Sequence, residues 1–228
     1  MHFLILGFFV LLIIFGPQLW AKRTFAQYSK PQDHFPGTGG ELARHLLNKN
    51  NLEIIQLEQT DSGDHYDPVS KKVRLTPENF NGKSLTAIAV AAHEVGHAIQ
   101  DSQNHPMLNL RTRLVNAAQA AEKIGSLAIV IAPIATMITR APSIGALFFI
   151  IGIGSMFINT LIHLVTLPVE WDASFGKALP MLKSGEYLSD KELKASEKIL
   201  KAAALTYVAG SLASLLNLWR WIAILRRR

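Results

Sequence analysis

The sequence predicts an α+β, mainly helical chain embedded in a membrane, with a small antiparallel sheet and three or four membrane helices. Its apolar residues pile up in a few long runs, whereas residues 21–123 read as an ordinary polar domain. Only 18% of the 228 residues are charged, against about a quarter in a typical soluble domain. Two short β-rich segments lie inside the polar part, and helical periodicity fills most of the rest. This segregation is the pattern of a membrane protein with one polar domain.

In chain order, Phe3 to Trp20 is a charge-free run of 18 residues, about the minimum that crosses a hydrocarbon layer roughly 30 Å thick. A cleaved signal peptide carries basic residues before its apolar stretch and small residues at its cleavage site. Here Lys22 and Arg23 follow the run, and Gln18-Leu19-Trp20-Ala21-Lys22 is a poor cleavage site, so residues 1–21 read as a retained anchor. Thr38 and Glu41 are spaced as a capping box, which starts a helix running through Leu46 and Leu47 to a stop near Asn50 and Asn51. Leu52–Leu57 and Lys71–Leu75 have strand character and are expected to pair as the antiparallel sheet. Ser84 caps a helix that runs to Asp101, with Ala, Val and Ile around most of its circumference, as in a buried helix.

Ile124–Thr139 and Ile144–Leu167 are apolar and separated by Arg140-Ala141-Pro142-Ser143. They read as a membrane hairpin over 124–167, in which Pro133 is tolerated. Residues 168–203 are polar and helical in pattern. In the last segment, 204–228, the apolar stretch Leu205–Leu225 is interrupted by Asn217 and Arg220, and it either spans the bilayer or lies in its interface.

There is no cysteine, which excludes disulfides and thiolate metal sites. The formal charge of +6 and pI of 9.6 need no nucleic-acid partner, because membrane proteins carry excess Lys and Arg on cytoplasmic loops. Residues 21–123 hold twelve Lys and Arg, residues 168–203 hold six, and the hairpin turn holds Arg140 alone. By that asymmetry the region 22–123 and the region 168–203 face the cytoplasm, in a multi-pass protein of the cell membrane. Arg226, Arg227 and Arg228 run against the rule if Leu205–Leu225 spans.

His93-Glu94-Val95-Gly96-His97 falls in the middle of the 84–101 helix. Positions four apart share one helical face, so the two imidazoles can reach one metal ion, and Glu94 is placed to take a proton from the attacking water. Zinc accepts such nitrogen and oxygen ligands in a tetrahedron, with one position open in catalytic sites. Two solvated surface histidines are the simpler alternative. Ala87, Ile88, Val90, Ala91, Val95, Ala98 and Ile99 surround them, however, and buried histidines beside a buried carboxylate need a partner.

A third ligand must come from elsewhere. His105 lies past the helix end, before Pro106. Glu170 is the better candidate: if 124–167 is a hairpin, the His93 helix enters it and Glu170 leaves it on the same membrane face. An ordinary interfacial carboxylate is the competing reading of Glu170.

Nearly the whole chain resembles the YugP-like neutral zinc metallopeptidases of bacteria. The resemblance is carried by the N-terminal anchor, Gly37-Thr38-Gly39-Gly40-Glu41, Asp64-His65-Tyr66-Asp67-Pro68, the stretch Ala89–Gln100 around the histidines, and Leu167-Pro168-Val169-Glu170-Trp171-Asp172-Ala173-Ser174. That family is similar in turn to HtpX and the CAAX prenyl proteases, membrane gluzincins with a glutamate as third ligand. The resemblance implies a gluzincin-like zinc peptidase fold, one zinc ion per chain held by His93, His97 and Glu170, and Glu94 as base. In the distant relatives an aspartate four residues after the glutamate supports a zinc histidine. Position 174 is Ser here, which makes nearby Asp172 the candidate orienting residue.

The expected reaction is hydrolysis of peptide bonds in membrane or membrane-proximal polypeptides. The strand Lys71–Leu75 is a candidate for pairing with extended substrate. His65, Tyr66 and His163 are candidate donors to the oxyanion, and each has a purely structural alternative. A catalytically silent membrane adaptor with a structural metal is the competing function, disfavoured by Glu94, which such a site has no use for. A transporter with a buried His/Glu relay is weaker, since only His163, Asn217 and Arg220 approach ionisable groups inside spans. Oligomeric state is not legible.

Overall fold

The computed structural model describes residues 2–225; side chains are not described for residues 1–10, 217–228 and a scatter of positions between, mostly in 122–160. Arg226–Arg228 and the side chains of Asn217 and Arg220 therefore lie outside the described residues, as does most of the anchor's apolar surface. Among the described residues, eight α-helices and a three-stranded sheet follow in the order α1 (His2–Tyr28), α2 (Gly39–Lys49), β1 (Gln56–Gln59), β2 (His65–Asp67), β3 (Lys72–Leu75), α3 (Pro77–Asn81), α4 (Leu85–Ser102), α5 (Pro106–Thr139), α6 (Pro142–Trp171), α7 (Leu179–Ser184) and α8 (Asp190–Leu225). A π-helical segment, Asp172–Ala178, joins α6 to α7.

The expected helix starts are present. Thr38 Oγ1 accepts from the Glu41 amide at 3.2 Å and the Glu41 carboxylate accepts from the Thr38 amide at 2.7 Å, which satisfies two free donors at the start of α2. Ser84 Oγ accepts from the Ala87 amide at 3.2 Å and starts α4. Arg140 takes a left-handed conformation, φ 52°, and Pro142 opens α6, so the turn between α5 and α6 falls where the sequence breaks its apolar run.

The sheet is mixed, not antiparallel. β1 and β3 pair in parallel, β2 and β3 antiparallel, and the order is β1-β3-β2. A short turn after Asp67 folds β3 back onto β2, which leaves the far edge of β3 to take β1. Arg74 of β3 ties both neighbours: its Nε donates to Glu58 at 2.6 Å and its Nη1 to Asp67 at 3.0 Å. Lys72–Leu75 is thus the central strand with both edges paired, and β2 is a free edge.

Side chains from α2, the sheet, α4, α7 and the first turns of α8 form the core, with Leu46, Leu47, Val73, Leu75, Leu85, Val95, Leu182 and Ile199 all buried. α1 leans on this core through Ala21 and Thr24, and Thr86 Oγ1 donates to the Phe25 carbonyl at 3.0 Å. α4 is buried along nearly its whole length. α6 continues through residue 167 to Trp171, and α8 runs unbroken through residue 204. Among the described residues, Asp190–Leu216 is long and apolar enough to cross a membrane, and the two stretches of α5, Pro106–Gly125 and Val130–Thr139, qualify only when taken together. The described residues thus hold one candidate span, or two, of the three or four expected.

Candidate metal centre

α4 is the scaffold of the site. Its periodicity puts His93 and His97 one turn apart on one face, with ring centroids 4.7 Å apart and planes at 79°. Glu170 reaches them from the last turn of α6. Its Oε2 lies 3.1 Å from His93 Nε2 and 3.3 Å from His97 Nε2, and the three candidate ligand atoms fall within 4.8 Å of one another. Glu170 is only 1% exposed.

The far sides of both rings are held. Gln100, one turn beyond His97, places Oε1 2.9 Å from His97 Nδ1. Its amide nitrogen donates to the Val169 carbonyl at 2.9 Å and to Asp172 Oδ2 at 2.8 Å, which sets the amide with its oxygen toward the imidazole. His97 Nδ1 must then carry the proton, leaving the Nε2 lone pair turned toward a carboxylate oxygen. Ser174 Oγ meets His93 Nδ1 at 3.1 Å. Lone pairs facing a carboxylate in a buried site repel unless a proton or a metal ion lies between them. Two imidazole nitrogens and one carboxylate oxygen, with oriented rings, could hold one metal ion, and zinc accepts ligands of these types.

The π-helical segment brings Ser174 to His93, and Gly96 lets it approach. A Cβ at Gly96 would sit 2.7 Å from the Ala173 carbonyl oxygen. π-Helical turns recur at functional sites because they re-aim side chains that an α-helix would place elsewhere.

Glu94 is buried next to the donor set. Burial pushes its carboxyl up to about 7; the negative charges of Glu170 and Asp64 add to this, while His93 and the Tyr66 amide oppose it. For Glu170, burial acts upward too, but the fields and hydrogen bonds of His97 and His93 outweigh it and hold the group well below the usual carboxylate range. Tyr207 of α8 faces Glu170 and Glu94 from the other side.

The four principal residues come together; the remaining candidates do not join them. Asp172 touches neither imidazole of the pair and acts on His97 through Gln100. The Tyr66 hydroxyl donates to Asp101 Oδ2 at 2.5 Å, where Lys71 Nζ also binds, so it is not available to a reacting carbonyl. His65 Nδ1 bonds the Gly63 carbonyl at 2.8 Å and its Nε2 faces Arg74, in a brace of the sheet. The His163 ring packs against Gly210 of α8. Gln100, Ser174 and Gly96 were not read as site residues. The available signal was position, since Gln100 follows His97 by three and Ser174 follows Glu170 by four, spacings that share a helical face.

A family described as "Putative neutral zinc metallopeptidase" matches residues 3–226, and the chain belongs to it. Over 228 aligned residues, 98% of this chain and 96% of the relative, it is 34% identical to a Bacillus subtilis (strain 168) protein named "Putative membrane protease YugP". No solved structure matches.

Proposed function

We propose that the chain is an integral-membrane zinc endopeptidase of gluzincin type, in which His93, His97 and Glu170 hold one zinc ion and Glu94 is the general base. The observation that carries this reading is the meeting of two imidazoles, each held at Nδ1, with a buried carboxylate beside a second carboxylate that burial raises to about 7. When bound, zinc supplies Lewis acidity that makes water acidic and polarises a carbonyl. Glu94 takes the proton of the attacking water and returns it to the leaving amine. A free edge strand, β2, runs beside this site with the Tyr66 amide facing Glu94, and it is the strand that an extended polypeptide would lengthen. A purely structural metal would not need the buried base, which disfavours the silent adaptor.

Membrane integration is supported by the apolar surface of the α5–α6 hairpin. Val130, Met137, Ile138 and Ile150 are 64–74% exposed, as expected of apolar side chains that meet lipid or a partner. The reading places 124–167 in the bilayer and the donor set at its cytoplasmic face, so the substrates are membrane or membrane-proximal proteins. The test is metal analysis together with cleavage of a quenched casein substrate. Glu94→Gln abolishes cleavage while zinc content survives; undiminished cleavage by that variant refutes the assignment.

A further inference from the structure

If peptide bonds are hydrolysed here, the carbonyl oxygen gains negative charge as water attacks, and a donor beside the ion lowers that barrier. Tyr66 and His65 are committed to Asp101 and Gly63, and the His163 ring lies against Gly210 of α8. The structure offers another. A cavity of about 200 Å³ opens beside His97, walled on one side by Tyr66 and Asp67 of the edge strand and on the other by Leu108, Arg111 and Thr112 of α5. Arg111 reaches from that wall toward Glu170. Its Nη1 is 3.5 Å from Glu170 Oε1, the oxygen not facing the imidazoles, and its side chain remains 31% exposed.

At 3.5 Å the contact is an ion pair and longer than a good hydrogen bond. The guanidinium carries five N–H donors, and Glu170 engages it at one edge. We infer that Arg111 is a catalytic residue of the proposed peptidase, donating from the cavity to the scissile carbonyl oxygen as that oxygen becomes negative. The inference rests on the zinc-peptidase reading. Its geometric basis is that one cavity contains His97, the free strand edge and a guanidinium turned toward the ligand carboxylate. A cation there also offsets the negative charge that Glu170 and Glu94 bring to the site.

The competing role for Arg111 is to hold Glu170, and the two roles separate by measurement. Zinc per chain, turnover per zinc and affinity for a phosphinic peptide, which mimics the charged tetrahedral carbon, are measured in the full chain for wild type, Arg111→Met and Arg111→Lys. The expected result is near-normal zinc in both variants. Turnover per zinc falls roughly 10²–10³-fold in Arg111→Met, KM changes little, phosphinic affinity falls in parallel, and Arg111→Lys recovers part of both. Zinc loss with unchanged turnover per zinc would make Arg111 a holder of Glu170 and overturn the inference. Turnover and phosphinic affinity within threefold of wild type would overturn it as well. A wild type that binds zinc but cleaves nothing would remove the peptidase reading itself, an outcome distinct from both.

Discussion

Gly96→Ala probes how closely the site depends on backbone contact. The new Cβ would stand 2.7 Å from the Ala173 carbonyl oxygen and 3.3 Å from Lys177 Cβ. Ordinary contact begins near 3.4 Å, so the π-helical segment must retreat by about 0.7 Å. The obstructing atom is backbone in a buried segment and cannot swing aside. Overpacking of this kind costs about 1–3 kcal/mol. The retreat also lengthens the Ser174–His93 contact from 3.1 Å and tilts the turn that carries Glu170. Misplacement by about 1 Å costs on the order of 100-fold in rate, so a loss of roughly 10- to 100-fold is expected. Thermal unfolding and hydrolysis of quenched casein at saturating zinc measure the two effects. A variant with unaltered melting and turnover within twofold of wild type would refute the packing argument.

Three further changes test separate contacts. Gln100→Leu removes the acceptor that fixes His97 and should weaken zinc binding about 10- to 100-fold; competition with a chromogenic chelator reads it, and unchanged affinity would exclude the orienting role. Tyr66→Phe deletes the bond to Asp101 and should cost about 1–2 kcal/mol of stability with turnover within a few-fold, whereas a collapse of turnover at normal stability would return Tyr66 to the chemistry. In the metal-free protein the Glu94 carboxyl is raised from 4.5 to about 7, so its contribution to stability is complete below 4.5 and is lost as pH rises through 7. Metal-free Glu94→Gln should therefore gain on wild type between pH 4.5 and 8 by about 3 kcal/mol, from 1.36 kcal/mol per unit, and parallel denaturation curves would contradict this.

The helix starts were legible because a capping box is local chemistry, complete within four residues. The nearness of Glu170 to the two histidines was legible through topology, since a hairpin returns the chain to the face it left. Strand pairing was not. β2 is three residues long and lies in a stretch rich in Asp, Ser, Gly and Pro, with no room for alternation to show. The supports of the histidines were missed because an acid was expected in that role, and the chain uses a neutral amide and a hydroxyl. The π-helical segment has no compositional signature, and the glycine that admits it sits inside a motif read only for its ligands. The oxyanion candidates were chosen by residue type near the motif, whereas Arg111 reaches the site from α5 by tertiary contact.

The partners of Glu170 lie 77 and 73 residues earlier in the chain. Any ion shared among the three is therefore also a crosslink, pinning the hairpin's exit to the helix that precedes its entry. Like other long-range covalent or coordinate ties, it removes conformational freedom from the unfolded chain. Chelation should consequently loosen α6 from α4 and expose the joint between them to added proteases, so that the same ion governs both turnover and the enzyme's own lifetime.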